Sequence, residues 1–232
     1  MKKIIAIVFV MTPGLLLFAQ VKKKTVMTAS TGSVLKTTSD SISYAIGLSV
    51  AGFFKEQGIQ SVNTSLVSKA INDILKNGKP QLNEQQANGV IMGCVQRIKE
   101  QKSASNKKAG EAFLETNKIK PGVVTLPSGL QYIVLKEGAG PKPMATDKVK
   151  CHYQGTLLDG TIFDSSIQRG QPIDFTVTGV IPGWTEALQL MPVGSKWRLF
   201  IPASLAYGDQ QAGKISPGST LIFDVELLEI VK

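Results

Sequence analysis

The chain has 232 residues, with 26 Lys and Arg against 17 Asp and Glu, a formal charge of +9, one histidine and two cysteines. A single histidine excludes a histidine-based catalytic triad or a multi-histidine metal site, and two cysteines are too few for a disulfide framework. Acidic and basic residues nearly balance over 121–232, so the positive charge belongs to the N-terminal half. There the lysines are scattered among Ala, Ser and Asn without interleaved aromatics, the pattern of a solvated helical face rather than of a nucleic-acid surface.

Lys2 and Lys3, the apolar run from Ile4 to Phe18 and the small residue Ala19 read as a signal peptide over 1–19, cleaved near Ala19. Thr12-Pro13-Gly14 interrupts that run, which is already short for a stable membrane span. Export, to the periplasm or the outer surface, is the expectation. Residues 20–39 are rich in Thr, Ser and Lys without periodicity and read as a flexible tether.

A helical domain is expected over 40–120. Ile42, Ala45, Ile46, Ser49, Val50 and Phe53 fall on one helical face, closed by Gln57-Gly58. A second helix is expected from an Asn63 cap, carrying Leu66, Val67, Ala70, Ile71, Ile74 and Leu75 to a stop at Asn77-Gly78. A third begins at Asn83-Glu84-Gln85-Gln86, a capping-box pattern, and continues through Val90, Ile91, Cys94, Val95 and Ile98. Beyond Ile98 the apolar residues become sparse, so the later turns up to Asn117 are expected to be mostly solvated, a long helix linking two domains. Three amphipathic helices bury a limited core alone, and association is the obvious remedy.

From 121 to 232 the pattern turns to β. Leu130–Leu135, Lys148–Gln154, Thr161–Asp164, Lys196–Pro202 and Thr220–Val231 carry β-branched or aromatic residues between Gly/Pro turns. A short helix is expected over Pro182–Met191, with Pro at its start and Pro192 beyond its end. The order suits an antiparallel sheet wrapped around one helix, giving an α+β chain overall. Asp159-Gly160 reads as a two-residue type I′ hairpin that pairs the strands of Tyr153 and Phe163. Cys94 lies on a helical stripe and Cys151 on a strand of the other domain, so both are expected as free, small hydrophobes. His152 falls on the strand face opposite Cys151 and Tyr153. No phosphate-binding loop, dinucleotide fingerprint or metal-ligand cluster is present, and no cofactor is expected.

Tyr153-Gln154-Gly155-Thr156, Gly160-Thr161-Ile162-Phe163-Asp164, Val180-Ile181-Pro182-Gly183-Trp184, Leu205-Ala206-Tyr207-Gly208 and Thr220-Leu221-Ile222-Phe223-Asp224 follow in an order that resembles the FKBP-type peptidyl-prolyl isomerases. The helical segment, through Ser43-Tyr44-Ala45-Ile46-Gly47, Phe54-Lys55-Glu56-Gln57-Gly58 and Gly110-Glu111-Ala112-Phe113-Leu114, is similar to the N-terminal domain of the exported macrophage infectivity potentiator group. The resemblance implies cis/trans isomerisation of X-Pro bonds in proline-containing unfolded or partly folded proteins. It also implies a homodimer and chaperone arm built from the N-terminal helices, and macrolide inhibitors as candidate ligands. In its catalytic set Trp184 is the platform beneath the prolyl ring, Tyr153, Phe163 and Phe223 are walls, Ile181 and Tyr207 are donors to substrate carbonyls, and Asp164 is a rim carboxylate paired with Arg169. Arg169, Ile173, Phe175, Val180 and Ile215 are the implied substrate contacts. Three departures from single-domain members bear on inhibitor affinity and on the residue preceding proline: Ile173 stands in place of a usual Phe, Gly179 in place of an acidic residue, and the 208–219 loop lacks a His.

Overall fold

The structure is a computed structural model that describes residues 35–231. The signal peptide and most of the tether expected from the sequence lie outside the described residues.

The described residues divide into two compact units, with the boundary between Ala51 and Gly52. Helix α1, Thr38–Glu56, begins slightly earlier than its apolar stripe suggests. The Asp40 carboxylate accepts the Thr37 N–H over 2.8 Å, and the Thr37 hydroxyl accepts the Asp40 N–H over 3.0 Å. These reciprocal bonds satisfy donors that a helix start otherwise leaves orphaned. Helices α2, Thr64–Leu75, and α3, Glu84–Asn117, start where their caps place them. Asn63 accepts the Leu66 N–H, and in a complete capping box the Gln86 N–H donates to Asn83 Oδ1 over 2.8 Å while the Asn83 N–H donates to Gln86 Oε1 over 3.0 Å. Asn77 adopts φ 53° just past the end of α2, the left-handed conformation that stops a helix.

Seven strands form one antiparallel sheet: β1 Val124–Thr125, β2 Gln131–Lys136, β3 Lys148–Thr156, β4 Ile162–Ser165, β5 Ile173–Thr176, β6 Lys196–Ile201 and β7 Leu221–Val231. Their order is β1-β2-β6-β7-β3-β4, with β5 paired to the first half of β3. Helix α4, Pro182–Leu190, turns Trp184, Ala187 and Leu188 into the core formed with Val149, Leu199, Val225 and Leu227 of the sheet. Full burial of each such large aliphatic side chain contributes about 1.5 to 3 kcal/mol. Cys151 lies in this core, Cys94 is half-buried on α3, and both thiols are free.

Three sequence expectations change. The β3–β4 turn is not type I′, because Gly160 alone of its central pair has positive φ, at 83°. Gly160 N–H returns to Leu157 O and Leu157 N–H to Thr161 O, both over 3.0 Å, which makes a type I turn followed by a glycine bulge. The Asp159 carboxylate accepts the Thr161 N–H over 2.9 Å and holds the aspartate out of the left-handed region. Strands β1 and β5, too short for a clear alternation, join those expected.

The third change concerns α3: most residues of its later turns are exposed, as expected, but one face of them is docked. Ser103, Asn106, Gly110, Phe113 and Asn117 recur at alternating three- and four-residue steps and face the sheet unit. Ser103, Gly110 and Asn117 are buried. The Phe113 ring packs on Phe200 at 5.8 Å, and Asn117 donates to Gln131 Oε1 over 3.0 Å. A Cβ at Gly110 would overlap the Thr220 side chain, so glycine is what allows the helix to approach this closely. Apart from Phe113 the contact is made by small and polar residues, and an apolar periodicity therefore misses it.

Candidate active site

Strand β3 carries Tyr153 inward, β4 brings Phe163 and Asp164 across the hairpin, β7 supplies Phe223, and α4 supplies Trp184. The register fixes their relations, with Tyr153 opposite Val225 and Gly155 opposite both Phe223 and Asp164. Together they bound a cavity of about 650 Å³. Gly155 leaves room for the rings, since a Cβ there would lie 2.5 Å from Phe163 and 2.7 Å from Phe223.

Trp184 is 4% exposed and forms the floor. Its ring meets Tyr153, Phe175 and Phe223 edge-on, with centroids 5.3, 5.4 and 5.2 Å away. Phe163 and Phe223 form a further edge-to-face pair at 5.4 Å. Edge-to-face contacts add roughly 0.5 to 1.5 kcal/mol each beyond area burial, so the rings of the aromatic box support one another without a ligand. The buried Trp184 Nε1–H has no hydrogen-bond partner among the described residues.

The polar side of the cavity is one connected group. The Tyr153 hydroxyl donates to Asp164 Oδ2 over 2.5 Å, Arg169 Nη2 donates to the Tyr153 oxygen over 2.8 Å, and Arg169 Nη1 bonds Asp164 Oδ1. Partial burial pushes the Asp164 pKa up, but the hydrogen bonds from Tyr153 and Arg169 and the guanidinium charge outweigh it and hold the carboxyl below its ordinary range. Burial and the bond to Asp164 raise the Tyr153 pKa against the opposing effect of Arg169. At neutral pH the group is therefore a carboxylate, a neutral phenol and a guanidinium. Ile181 caps α4, and its backbone N–H has no acceptor among the described residues.

Phe175, Val180, Ile181, Tyr207 and Ile215 also line the cavity. Arg169 and Ile173 are not on its wall: Arg169 acts on the rim through Asp164 and Tyr153, and Ile173 pairs with Cys151 and packs on the core. The inward face of β3 at Cys151 is filled by core, which draws Ile173 away from the opening. Gly179, Ala212, Gly213 and Lys214 line the cavity although the sequence reading did not include them as site residues. Loop residues of this kind carry no periodic signal; only the turn glycines mark the segment. His152 is half-buried, with Nδ1 3.1 Å from Ser166 Oγ, and takes no part in the cavity.

Comparison with known proteins agrees with this geometry. The family described as "FKBP-type peptidyl-prolyl cis-trans isomerase" matches residues 140–228, and the one described as "Domain amino terminal to FKBP-type peptidyl-prolyl isomerase" matches 39–134. The chain is 45% identical over 216 residues to the outer membrane protein MIP of Legionella longbeachae, covering 90% of this chain and 92% of that one. It is likewise 45% identical over 193 residues to the FKBP-type 22 kDa peptidyl-prolyl cis-trans isomerase of Escherichia coli strain K12, covering 82% and 94%. The crystal structure of FkpA from Escherichia coli superposes with a TM-score of 0.67 at 34% identity, over 84% of this chain and 97% of that one. An aromatic cavity between a sheet and a short helix, the helical domain before it and similarity along nearly the whole described chain lead to one conclusion: the chain belongs to the FKBP-type peptidyl-prolyl cis-trans isomerases.

Proposed function

We propose that this isomerase acts on X-Pro bonds of exported proteins during their folding, with the cavity above Trp184 as the catalytic site and the N-terminal helices as a homodimeric chaperone arm. The observation that carries the site assignment is the Tyr153–Asp164–Arg169 group set into the rim of an otherwise aromatic cavity.

Partial double-bond character gives the amide a rotational barrier of about 18 to 20 kcal/mol. The twisted amide loses resonance and is less dipolar than the planar form, so a water-poor aromatic cavity favours it over the ground state. In this reading the prolyl ring rests on Trp184 between Tyr153, Phe163 and Phe223. The Ile181 N–H and the Tyr207 hydroxyl bind substrate carbonyls and fix one side of the rotating bond. Asp164 orients Tyr153 and supplies negative potential at the rim, with Arg169 holding its carboxylate in place. No bond to carbon breaks, so a single carboxylate with no positioned attacking water is sufficient. Macrolide inhibitors would occupy the same cavity, their fit altered by Gly179 and by the Gly213–Lys214 segment.

The arm is supported by apolar surface that one copy leaves open. Ile42 and Ile46 on the first turns of α1 are 57% and 54% exposed, and Leu66, Ile74, Val90 and Met92 of the second unit are 58%, 64%, 62% and 72% exposed. Exposed apolar stripes of this extent mark interaction surfaces, and a second copy presents the same stripes. Among the described residues no helix is long and apolar enough to cross a membrane. Export rests on the 1–19 leader reading and on the similarity to a relative named as an outer membrane protein.

Sedimentation equilibrium of the mature chain, with and without Ile74→Asp and Val90→Asp, tests the arm. A dimer that the double variant converts to monomer, with weaker suppression of client aggregation and unchanged turnover of a short peptide, is the expected result. A monomeric wild-type chain would remove the dimer and chaperone parts of the proposal.

A further inference from the structure

The loop between Tyr207 and Thr220 has two edges with different neighbours. Its inner edge lines the cavity through Ala212, Gly213, Lys214 and Ile215 and is pinched by paired backbone bonds of 3.0 and 2.9 Å between Ala212 and Ile215. Its outer edge closes on itself through the Gly218 N–H to Gly208 O, over 2.8 Å, and rests on α3. Ser103 Oγ bonds Asp209 Oδ1, Lys107 Nζ lies 2.6 Å from the same oxygen, and Asn106 Nδ2 donates to Pro217 O over 2.7 Å. Gly218, at φ 74°, backs directly onto Ser103, leaving no room for a side chain. Three neighbouring residues of a helix outside the sheet thus grip both ends of the segment that forms one cavity wall.

We propose that Ser103, Asn106 and Lys107 are positioning residues of the isomerase site: α3 holds the 208–219 loop from outside and thereby sets the wall at Gly213–Ile215. The inference rests on the reading of the cavity as the isomerase site. Within the loop Ile215 is the buried apolar anchor on the cavity side, and Pro217 and Gly218 are buried at the outer edge. Without α3 the outer edge would lose its side-chain hydrogen-bond partners. The Lys107–Asp209 pair is exposed and screened by solvent, whereas the Ser103 and Asn106 bonds are partly buried and carry more of the hold. The hydrogen bonds from Lys107 and then Ser103 lower the Asp209 pKa, as expected for a carboxylate that accepts from both. A wall held this way affects the residues flanking proline, because the floor and rim that take the ring come from other elements.

The test uses the full-length chain carrying Ser103→Ala with Asn106→Ala, alongside Asp209→Ala and Asp209→Asn. Amide chemical shifts of Gly213, Lys214 and Ile215 are recorded without substrate, and kcat and KM are measured for two peptides with Leu or Ala before proline. The double variant and Asp209→Ala are expected to move these amides and to change the Leu/Ala ratio of kcat/KM by about threefold or more through KM, equivalent to about 0.7 kcal/mol. Asp209→Asn keeps the oxygen that accepts from Ser103 and is expected to restore most of both readouts. Unmoved amides with an unchanged ratio would overturn the proposal, and so would a lower melting temperature with neither readout altered, since α3 would then serve stability alone. If the wild-type chain accelerates neither peptide, the isomerase reading of the cavity fails, while the amide shifts still decide whether α3 positions the loop.

Discussion

The Tyr153 hydroxyl lies 2.5 Å from the Asp164 carboxylate across the β3–β4 hairpin, and Arg169 bonds both of them. The carboxylate is therefore a fixed element of the cavity rim rather than a mobile surface group. Asp164→Leu should lower kcat/KM by more than about tenfold while leaving the melting temperature nearly unchanged, because a rim carboxylate supports little of the core. Tyr153→Phe, which keeps the ring and removes the bridge, should lose less. Peptide kinetics with thermal melts check both, and wild-type kcat/KM in Asp164→Leu would remove the electrostatic role.

The same group sets the pH dependence. Asp164 has a folded pKa below its ordinary value of about 3.9, so its contribution is complete above that value and is lost as pH falls through the lower, folded pKa. Tyr153 has a raised pKa and stays protonated through neutral pH and past its ordinary value of about 10. The profile of kcat/KM should be flat from about pH 5 to about pH 9 and fall only on the acid side, below the ordinary Asp range. An inflection inside that window would contradict the assignment of the profile to Asp164 and Tyr153.

Trp184 and Gly155 link the site to the core. Trp184→Ala removes a ring that is 4% exposed and contacts three others, and should destabilise the protein by about 3 to 5 kcal/mol as well as abolish peptide turnover. Gly155→Ala inserts a methyl group against Phe163 and Phe223 and should lose about 1 to 3 kcal/mol by overpacking, with a parallel fall in kcat/KM. Urea denaturation with peptide kinetics measures both effects. Full activity in Gly155→Ala would mean that the aromatic box is looser than its ring geometry indicates.

The two cysteines should behave differently in the native protein. Burial raises the Cys151 thiol to about 12, leaving almost no thiolate at neutral pH, and its side chain is fully buried. A thiol reagent should therefore label half-buried Cys94 first and reach Cys151 only on unfolding, when both titrate as free. A denatured, unreduced sample without free thiols would contradict this.

Much of the site was legible in the sequence because its residues lie in short motifs of fixed order. Phe163-Asp164 after a turn, Ile181-Pro182-Gly183-Trp184 at a helix start and Phe223 on an alternating strand each combine a local structural signal with an aromatic or a carboxylate. The caps at Asn63 and Asn83 were legible for the same reason, since capping is a contact within four residues. What was not legible depends on long-range contacts or on residues without hydropathy. The turn at Asp159-Gly160 was decided by one Asp159 hydrogen bond to Thr161, which favours a bulge over type I′. The docked face of α3 includes Ser103, Asn106 and Gly110, polar or small residues whose partners lie more than a hundred residues away. Gly213 and Lys214 enter the wall only because the 208–219 loop folds back on itself.

The most direct test of the account is the rate of cis/trans exchange in a short X-Pro peptide, measured by exchange NMR with the mature chain and with Asp164→Leu at equal concentration. The account predicts exchange far above the spontaneous rate, which takes tens to hundreds of seconds, and a loss of more than about tenfold in the variant. Exchange no faster than in buffer alone with the wild-type chain, or equal acceleration by both proteins, would contradict the assignment of catalysis to this cavity and its Asp164 rim.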